Sequence, residues 1–143
     1  QLSLLDDIPQ ALPALKRAIK IQTRVAKVGF DWPELEPVVE KIYEEVDEVL
    51  VEAKLVTTDP EHYQPKVVDE MGDLLFAVVN LARHLNVDPE QALRQANNKF
   101  ERRFKGVENC VVQSGKQFDD HTLEQLDSYW DQVKRQEKTS LSD

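Results

Sequence analysis

Apolar residues recur three or four positions apart through nearly the whole chain of 143 residues, and this helical period constrains the fold more than any other feature. The chain has only 4 glycines. It lacks β-branched runs bounded by turn residues, which are the usual sequence signs of strands. We therefore predict an all-α helical bundle of about five helices joined by short connections.

Turn and capping residues divide this pattern into helices. Gly29 follows the first apolar run, while Asp31 and Asp88 stand where helix N-caps are expected. The segment "TTDPEHYQP" at 57–65 is the clearest predicted loop. The predicted helices run from about 13 to 28, from Asp31 to about 56, from about 66 to 85, from Asp88 to at least 104, and from about 122 to 136.

The composition predicts one domain over 1–143. Residues 1–12 look linker-like, and residues 138–143 are expected to fray. Because the sequence begins without Met and carries no secretory signal, we expect a fragment of a longer chain. No apolar run approaches the roughly 18 residues that cross a membrane. The single cysteine, Cys110, excludes an internal disulfide and fits a cytoplasmic protein.

The net charge of −9 argues against a nucleic-acid partner, since lysine and arginine supply most of that affinity. It leaves room for a small phosphorylated ligand, because a local group of bases or a divalent cation overcomes the global field.

The acid-rich stretch "KIYEEVDEVLVEA", which begins at Lys41, places carboxylates beside the apolar stripe of the second helix. A helix turns by about 100° per residue, so Glu45 and Glu48 fall about 60° and 120° to one side of Ile42. Lys41 falls on the same side, whereas Glu44 points to the outer face. The stripe itself consists of Leu35, Val38, Ile42, Val46, Val49 and Ala53.

The third helix repeats this arrangement. Glu70 and Asp73 fall about 40° and 100° to one side of Leu74, and Lys66 lies on that side too. Its predicted core stripe consists of Val67, Met71, Leu74, Val78, Leu81 and Leu85, and its back carries Val68, Phe76 and Val79. A helix that is apolar most of the way round is buried on two sides, so we predict that a second copy completes the bundle as a homodimer.

Two interpretations of the acids remain open from spacing alone. In one, they are solvated charges that flank a core. In the other, carboxylates three residues apart on two helices hold a divalent cation inside the bundle. An all-oxygen set favours Mg²⁺, with Mn²⁺ as a possible substitute. Lys66, Lys99 and Arg103 would then neutralise phosphate oxygens, and Trp130 would stack on a base or sugar.

"EEVDE" at 44–48, a spacer of 21 residues and "EMGD" at 70–73 resemble the EExxE…ExxD signature of the MazG-like all-α nucleoside triphosphate pyrophosphohydrolases. The segments "DDIPQALPALKRAIKIQ", "VGFDW", "NNKFERRF" and "YWDQVKRQE" extend the resemblance to nearly the whole chain. Together they are similar to the C-terminal module of bacterial MazG.

The resemblance implies Mg²⁺-dependent hydrolysis of nucleoside triphosphates to a monophosphate and pyrophosphate, by a dimer. It implies that the metal ligands are Glu45, Glu48, Glu70 and Asp73, to which Glu44 adds a fifth catalytic carboxylate. It also implies nucleotide contacts by Lys41, Glu44, Lys66, Asp69, Asp73, Lys99, Arg103, Trp130 and Lys134.

The expected chemistry is attack of water on the α-phosphorus, with Glu44 or Glu48 as the general base. The number of metal ions, one or two, stays open. A narrower pyrophosphohydrolase acting on dUTP, modified dNTPs or phosphoribosyl-ATP is one alternative. A non-catalytic dimerising module is the other.

Overall fold

A computed structural model describes residues 3–142, with side chains through residue 140. Within this range the chain forms five α-helices and one 3₁₀ turn, and it forms no strand, which confirms the all-α prediction. No helix among these residues has the length and apolarity to cross a membrane. The elements are α1 (Ala14–Ala26), α2 (Leu35–Leu55), α3 (Pro60–His84), α4 (Pro89–Ser114), the 3₁₀ turn (Phe118–Asp120) and α5 (Leu123–Ser142).

Two of the predicted helix boundaries are confirmed by their local geometry. Gly29 follows α1 with φ of +91°, a conformation that glycine adopts at little cost. Asp88 caps α4, because its Oδ1 accepts a hydrogen bond of 3.0 Å from the backbone N–H of Glu90.

The predicted N-cap of α2 is wrong. The helix begins at Leu35, and its N-cap residue is Glu34, whose side chain makes no capping hydrogen bond. Asp31 instead accepts hydrogen bonds from Arg83 and His84 of α3. The Asp31 carboxylate, which the local sequence pattern assigned to the N-terminus of α2, therefore makes a tertiary contact with α3 instead.

The predicted loop over 57–65 is also wrong, because α3 begins at Pro60. Asp59 is its N-cap and accepts a hydrogen bond of 3.3 Å from the backbone N–H of His62. Pro60 suits the first helical position, where no N–H is needed. Pro65 stands inside the helix and removes one backbone hydrogen bond there, so it misleadingly indicated a loop.

Segments near both ends of the described range form defined local contacts or helix. In the lead-in, Ile8 is buried and Asp7 forms an ion pair with Arg24 of α1. The same guanidinium donates a hydrogen bond of 2.7 Å to the carbonyl oxygen of Leu4. At the other end α5 extends to Ser142, through most of the tail that was predicted to fray. Residues 1 and 2 of the lead-in and residue 143 of the tail lie outside the described residues.

The chain divides into two compact units, and the division falls after Ala92, in the first turn of α4, while the single domain over 1–143 stays a prediction. In the first unit α3 packs against both α2 and α1. In the second, α4 and α5 meet at Gly106, where a Cβ atom would lie 2.8 Å from Cγ2 of Val133. Glycine therefore permits the close approach of these two helices.

The predicted stripes are buried only in part. On α3, Met71 and Val78 were assigned to the core but are exposed, while Val79 of the supposed back is 2% exposed. The period of a helix that is apolar on most sides cannot tell the inner face from the outer one. The result is an exposed apolar strip, which we call the α3 strip and which consists of Val68, Met71, Leu75 and Val78.

Candidate functional site

The packing of α2 against α3 brings three of the predicted carboxylates together. Glu45, Glu70 and Asp73 each offer one oxygen, and these oxygens lie within 4.8 Å of one another. We call this group the acidic cluster. Glu45 is buried, at 6% exposed, whereas Glu70 is half-buried and Asp73 is exposed. The helical angles thus predicted this convergence correctly.

One lysine partly balances the acidic cluster. The Nζ atom of Lys41 lies 3.0 Å from Oε1 of Glu45 and 3.5 Å from Oε1 of Glu44. The hydrogen bond to Glu45 raises the pKa of Lys41 above its ordinary value, against the opposing effect of burial. Oε2 of Glu45 is buried and has no hydrogen-bond partner among the described residues. The single positive charge of Lys41 therefore does not neutralise the negative charge of the surrounding carboxylates.

Partial burial and the neighbouring acids both affect the pKa of Glu70. Its pKa is raised, first by partial burial and then by the negative charges of Glu48, Asp73, Glu45 and Asp69. Glu48 and Asp69 are exposed and lie outside the acidic cluster, but their charges act on it. The chain thus holds Glu70 in surroundings that disfavour its ionised form.

The donor set fits a hard divalent cation. The acidic cluster contains three carboxylates and neither histidine nor cysteine, which suits Mg²⁺ or Mn²⁺ better than zinc. A cation would meet the unpartnered oxygen of Glu45 and relieve the repulsion felt by Glu70.

A cavity of about 690 Å³ lies beside the acidic cluster, within the first unit. Lys41, Glu45 and Asp73 form part of its wall. Its remaining wall comes from α1, from the turn after it and from α3, and consists of Ile21, Gln22, Val25, Gly29, Phe30, Asp31, Trp32, Phe76, Ala77, Asn80 and Arg83. The volume and the largely apolar wall are typical of a small-molecule site.

Asp31 and Arg83, which also line this cavity, belong to a second group of polar side chains. Asp31 Oδ1 accepts a hydrogen bond of 2.7 Å from Nη2 of Arg83 and lies 2.9 Å from Nε2 of His84. We call these three residues the Asp31 cluster. The hydrogen bond from Arg83, aided by His84, lowers the pKa of Asp31 below its ordinary value. Arg83 is held in turn by Oδ1 of Asn80, at 2.8 Å from Nη2.

The sequence analysis did not place the Asp31 cluster, the aromatic residues or Gln22 at a site. Two signals pointed to them. Phe30 and Trp32 are aromatic residues in a glycine turn, outside any helical stripe. Gln22 is a polar residue at a position of α1 where the period of Leu15, Ala18 and Val25 calls for an apolar one.

The other predicted nucleotide contacts lie outside the acidic cluster and fall in both units. In the first unit, Lys66 is exposed and its Nζ lies 5.5 Å from the ring centroid of Tyr63. In the second unit, the Cζ atom of Arg103 lies 6.0 Å from the ring centroid of Trp130. Lys99 is exposed on α4, and Lys134 on α5 is half-buried.

Arg103 is also engaged by an acid of its own unit. Its Nε donates to Oε2 of Glu137 at 3.1 Å, and Nε of Arg102 donates to Oε1 at 3.1 Å. These hydrogen bonds, from Arg102 first and then Arg103, lower the pKa of Glu137. A phosphate that binds Arg103 must therefore compete with a carboxylate.

Comparisons with known proteins agree with the geometry. The family described as "MazG nucleotide pyrophosphohydrolase domain" matches residues 34–108, a stretch that contains the whole acidic cluster. The chain is 57% identical over 137 residues to a protein of Escherichia coli named "Nucleoside triphosphate pyrophosphohydrolase". It is 44% identical over 137 residues to a protein of Thermotoga maritima named "Nucleoside triphosphate pyrophosphohydrolase/pyrophosphatase MazG".

Each of these alignments covers 96% of this chain but only part of the relative. The aligned part is 51% of the Escherichia coli protein and 50% of the Thermotoga maritima protein, so the chain spans about half the length of these curated relatives. The chain is also 42% identical over 138 residues, 96% of its length, to "Uncharacterized protein YabN" of Bacillus subtilis, where the alignment covers 27% of that protein.

Proposed function

The chain belongs to the MazG nucleotide pyrophosphohydrolase family, and from this premise we propose that it hydrolyses nucleoside triphosphates to the monophosphate and pyrophosphate with the help of Mg²⁺. The observation that carries the proposal is the acidic cluster, whose three carboxylate oxygens lie within 4.8 Å of one another beside a cavity of nucleotide-binding size. Like charges at this distance repel one another, so a bound cation would offset the cost of their convergence.

The residues that would hold the cation are Glu45, Glu70 and Asp73, with Glu48 as the fourth ligand. When bound, Mg²⁺, or Mn²⁺ in its place, would neutralise phosphate charge and lower the pKa of the attacking water. Lys41 has a separate part. Its ammonium lies 3.0 Å from Oε1 of Glu45 and offsets part of the negative charge of the acidic cluster.

The reaction forms one bond and breaks one. The water oxygen bonds to the α-phosphorus, and the bond from the α-phosphorus to the oxygen that bridges to the β-phosphorus breaks. Pyrophosphate leaves with the electron pair. The water proton passes to Glu44 or Glu48, both of which are exposed carboxylates on α2.

Residues of the first unit bind the substrate in this proposal. Lys41, Lys66 and Asp69 accompany Asp73, and the cavity with its aromatic residues takes the nucleoside. The nucleotide contacts that the family resemblance implies on α4 and α5, by Lys99, Arg103, Trp130 and Lys134, stay predictions. The charge and the aromatic character of each side chain support these assignments.

The test is hydrolysis of a panel of NTPs and dNTPs in water enriched in ¹⁸O, with Mg²⁺ and with EDTA. We expect metal-dependent formation of monophosphate and pyrophosphate, with the ¹⁸O label in the monophosphate. Label in the pyrophosphate would place the attack on the β-phosphorus and overturn the mechanism. Absence of turnover with every nucleotide would overturn the activity and favour a non-catalytic dimerising module.

We also propose that the chain forms a homodimer through the α3 strip. The support is the exposure of large apolar side chains on one face of α3, where Leu75 is 53% exposed. Light scattering should give twice the chain mass of 16.5 kDa for the wild type, and Leu75→Glu should give a monomer. A monomeric wild type at micromolar concentration would contradict the proposal.

A further inference from the structure

The amide of Gln22 is an unusual feature of the cavity wall. The residue lies on α1 and is only 4% exposed, so its side chain is buried. Its Nε2 donates a hydrogen bond of 2.9 Å to the carbonyl oxygen of Phe76 on α3. Glutamine is mostly exposed in folded proteins, so a buried one calls for a specific reason.

The hydrogen bond to Phe76 fixes which way the amide faces. A backbone carbonyl only accepts hydrogen bonds, so the NH₂ end must be the end that faces Phe76. The Oε1 atom of Gln22 is then left as an acceptor. It is buried and has no hydrogen-bond partner in the part of the chain that the structure describes. Buried polar atoms without a partner are few in native proteins.

The surroundings of Gln22 indicate what kind of group would meet this acceptor. Gln22 lines the same cavity as Glu45 and Asp73 of the acidic cluster, and Phe30 and Trp32 line it too. Phosphates are drawn to the cation that the acidic cluster would hold. The aromatic side chains suit a flat ring. A ligand that satisfies both would bring its flat ring, and not its phosphates, to the apolar wall that contains Gln22.

We propose that Gln22 is a specificity-determining residue, whose Oε1 accepts a hydrogen bond from an N–H group of the nucleobase. This inference rests on the proposed function, since it takes a nucleotide to be the substrate. A site built around a hydrogen bond rejects an analogue that lacks the donor, because the buried acceptor is then left unpaired. The cavity would therefore favour bases that present an amino or imino N–H to this wall.

Matched nucleotides test this directly. Each standard triphosphate is paired with an analogue that lacks one donor group of the base. The amino group is absent when ATP is paired with purine riboside triphosphate and CTP with zebularine triphosphate, and the imino N–H is absent when UTP is paired with 3-methyl-UTP and GTP with 1-methyl-GTP. For at least one pair, we expect the wild type to lose about 10- to 100-fold in kcat/KM on removal of the N–H. Equal kcat/KM values within all four pairs would overturn the inference.

The variant Gln22→Met keeps the length of the side chain but removes the amide. We expect it to lower kcat/KM for the standard nucleotide to the value of its analogue, so that the gap closes. The matched control is Gln91→Met, at an exposed glutamine of the same unit, which should keep the wild-type gap. A gap that persists in folded Gln22→Met would also overturn the inference.

The outcomes separate the two proposals. If the wild type hydrolyses nucleotides but shows no gap in any pair, only the role of Gln22 fails. If the wild type hydrolyses no nucleotide at all, the proposed function fails and the role of Gln22 fails with it. Should Gln22→Met not fold, the wild-type pairs still decide, because they need no variant.

Discussion

Two groups of charged side chains each contribute two residues to the wall of one cavity, and the chain balances its own charge in only one of these groups. In the Asp31 cluster, one carboxylate meets a guanidinium and an imidazole, and the pKa of Asp31 is lowered. In the acidic cluster, only Glu45 of the three carboxylates forms an ion pair with a lysine, Lys41, and the pKa of Glu70 is raised. Both groups are built by side chains of α3 that reach another segment of the first unit.

This difference in charge balance distinguishes a carboxylate that stabilises the fold from a carboxylate that is suited to binding a cation. A paired carboxylate such as Asp31 contributes to stability by itself. A carboxylate crowded by other acids, such as Glu70, costs stability until a cation arrives. Removing an acid should therefore change the free energy of unfolding in opposite directions in the two clusters. The experiments below test this difference.

The largest expected effect is on turnover. Glu70→Gln removes a proposed metal ligand, so we expect kcat/KM with Mg²⁺ to fall by more than the roughly 10- to 100-fold that is typical of residues around a metal's ligands. The matched control is Glu40→Gln, at an exposed glutamate of α2, which should keep wild-type kcat/KM. Wild-type kcat/KM in Glu70→Gln, with the same Mg²⁺ dependence, would exclude Glu70 as a ligand.

The next effect is on stability in the presence of metal. A ligand that binds only the folded chain at about 100 times its Kd adds about 2.7 kcal/mol to the free energy of unfolding. Mg²⁺ should therefore raise the Tm of the wild type by several degrees in calorimetry. It should leave the Tm of Glu70→Gln nearly unchanged, whereas Asp31→Asn should respond as the wild type does. If Mg²⁺ raised the Tm of all three proteins equally, the proposed difference between the two clusters would be wrong.

How far the sequence predicted these two clusters follows from their contacts. Glu45 and Asp73 could be found because each lies at a fixed angle from its own helix stripe, and helical geometry is local. The Asp31 cluster could not be found, because Asp31 bonds to a residue 52 positions away. The local sequence pattern assigned Asp31 to the N-terminus of a helix. Its partners, Arg83 and His84, follow only from the packing of α3 in the three-dimensional structure.

The same reasoning explains the errors in the fold. Asp88 was identified correctly because a cap and its helix are neighbours in sequence. The start of α3 was missed because Pro65 breaks the local pattern, while packing of α3 against α2 stabilises the helix despite it. Val79 was placed on the wrong face because burial depends on what covers each side of the helix.

A smaller effect concerns the Asp31 cluster without metal. Asp31→Asn should lower the free energy of unfolding in urea by about 1–2 kcal/mol, because the hydrogen bonds to Arg83 and His84 lose their charge. Glu70→Gln, measured in EDTA, should be as stable as the wild type or more so. A loss of stability in Glu70→Gln as large as in Asp31→Asn would show that Glu70 is a structural charge.

The smallest expected effect is the pH dependence of these two differences, again in EDTA. The raised pKa of Glu70 means that the folded chain binds this proton more tightly than the unfolded chain, so its ionisation costs stability as pH rises. The advantage of Glu70→Gln over the wild type should therefore grow from pH 4 towards pH 7.

Asp31 has the opposite sign. Its pKa is lowered below 3.8, so the stability that it contributes is complete above the unfolded value and is lost as pH falls through the folded one. The deficit of Asp31→Asn should thus stay constant at neutral pH and shrink only in strong acid. Urea unfolding from pH 3 to pH 7 measures both differences. If the two differences varied with pH in the same acid range and in the same way, a common cause such as overall charge would replace the local environments as their explanation.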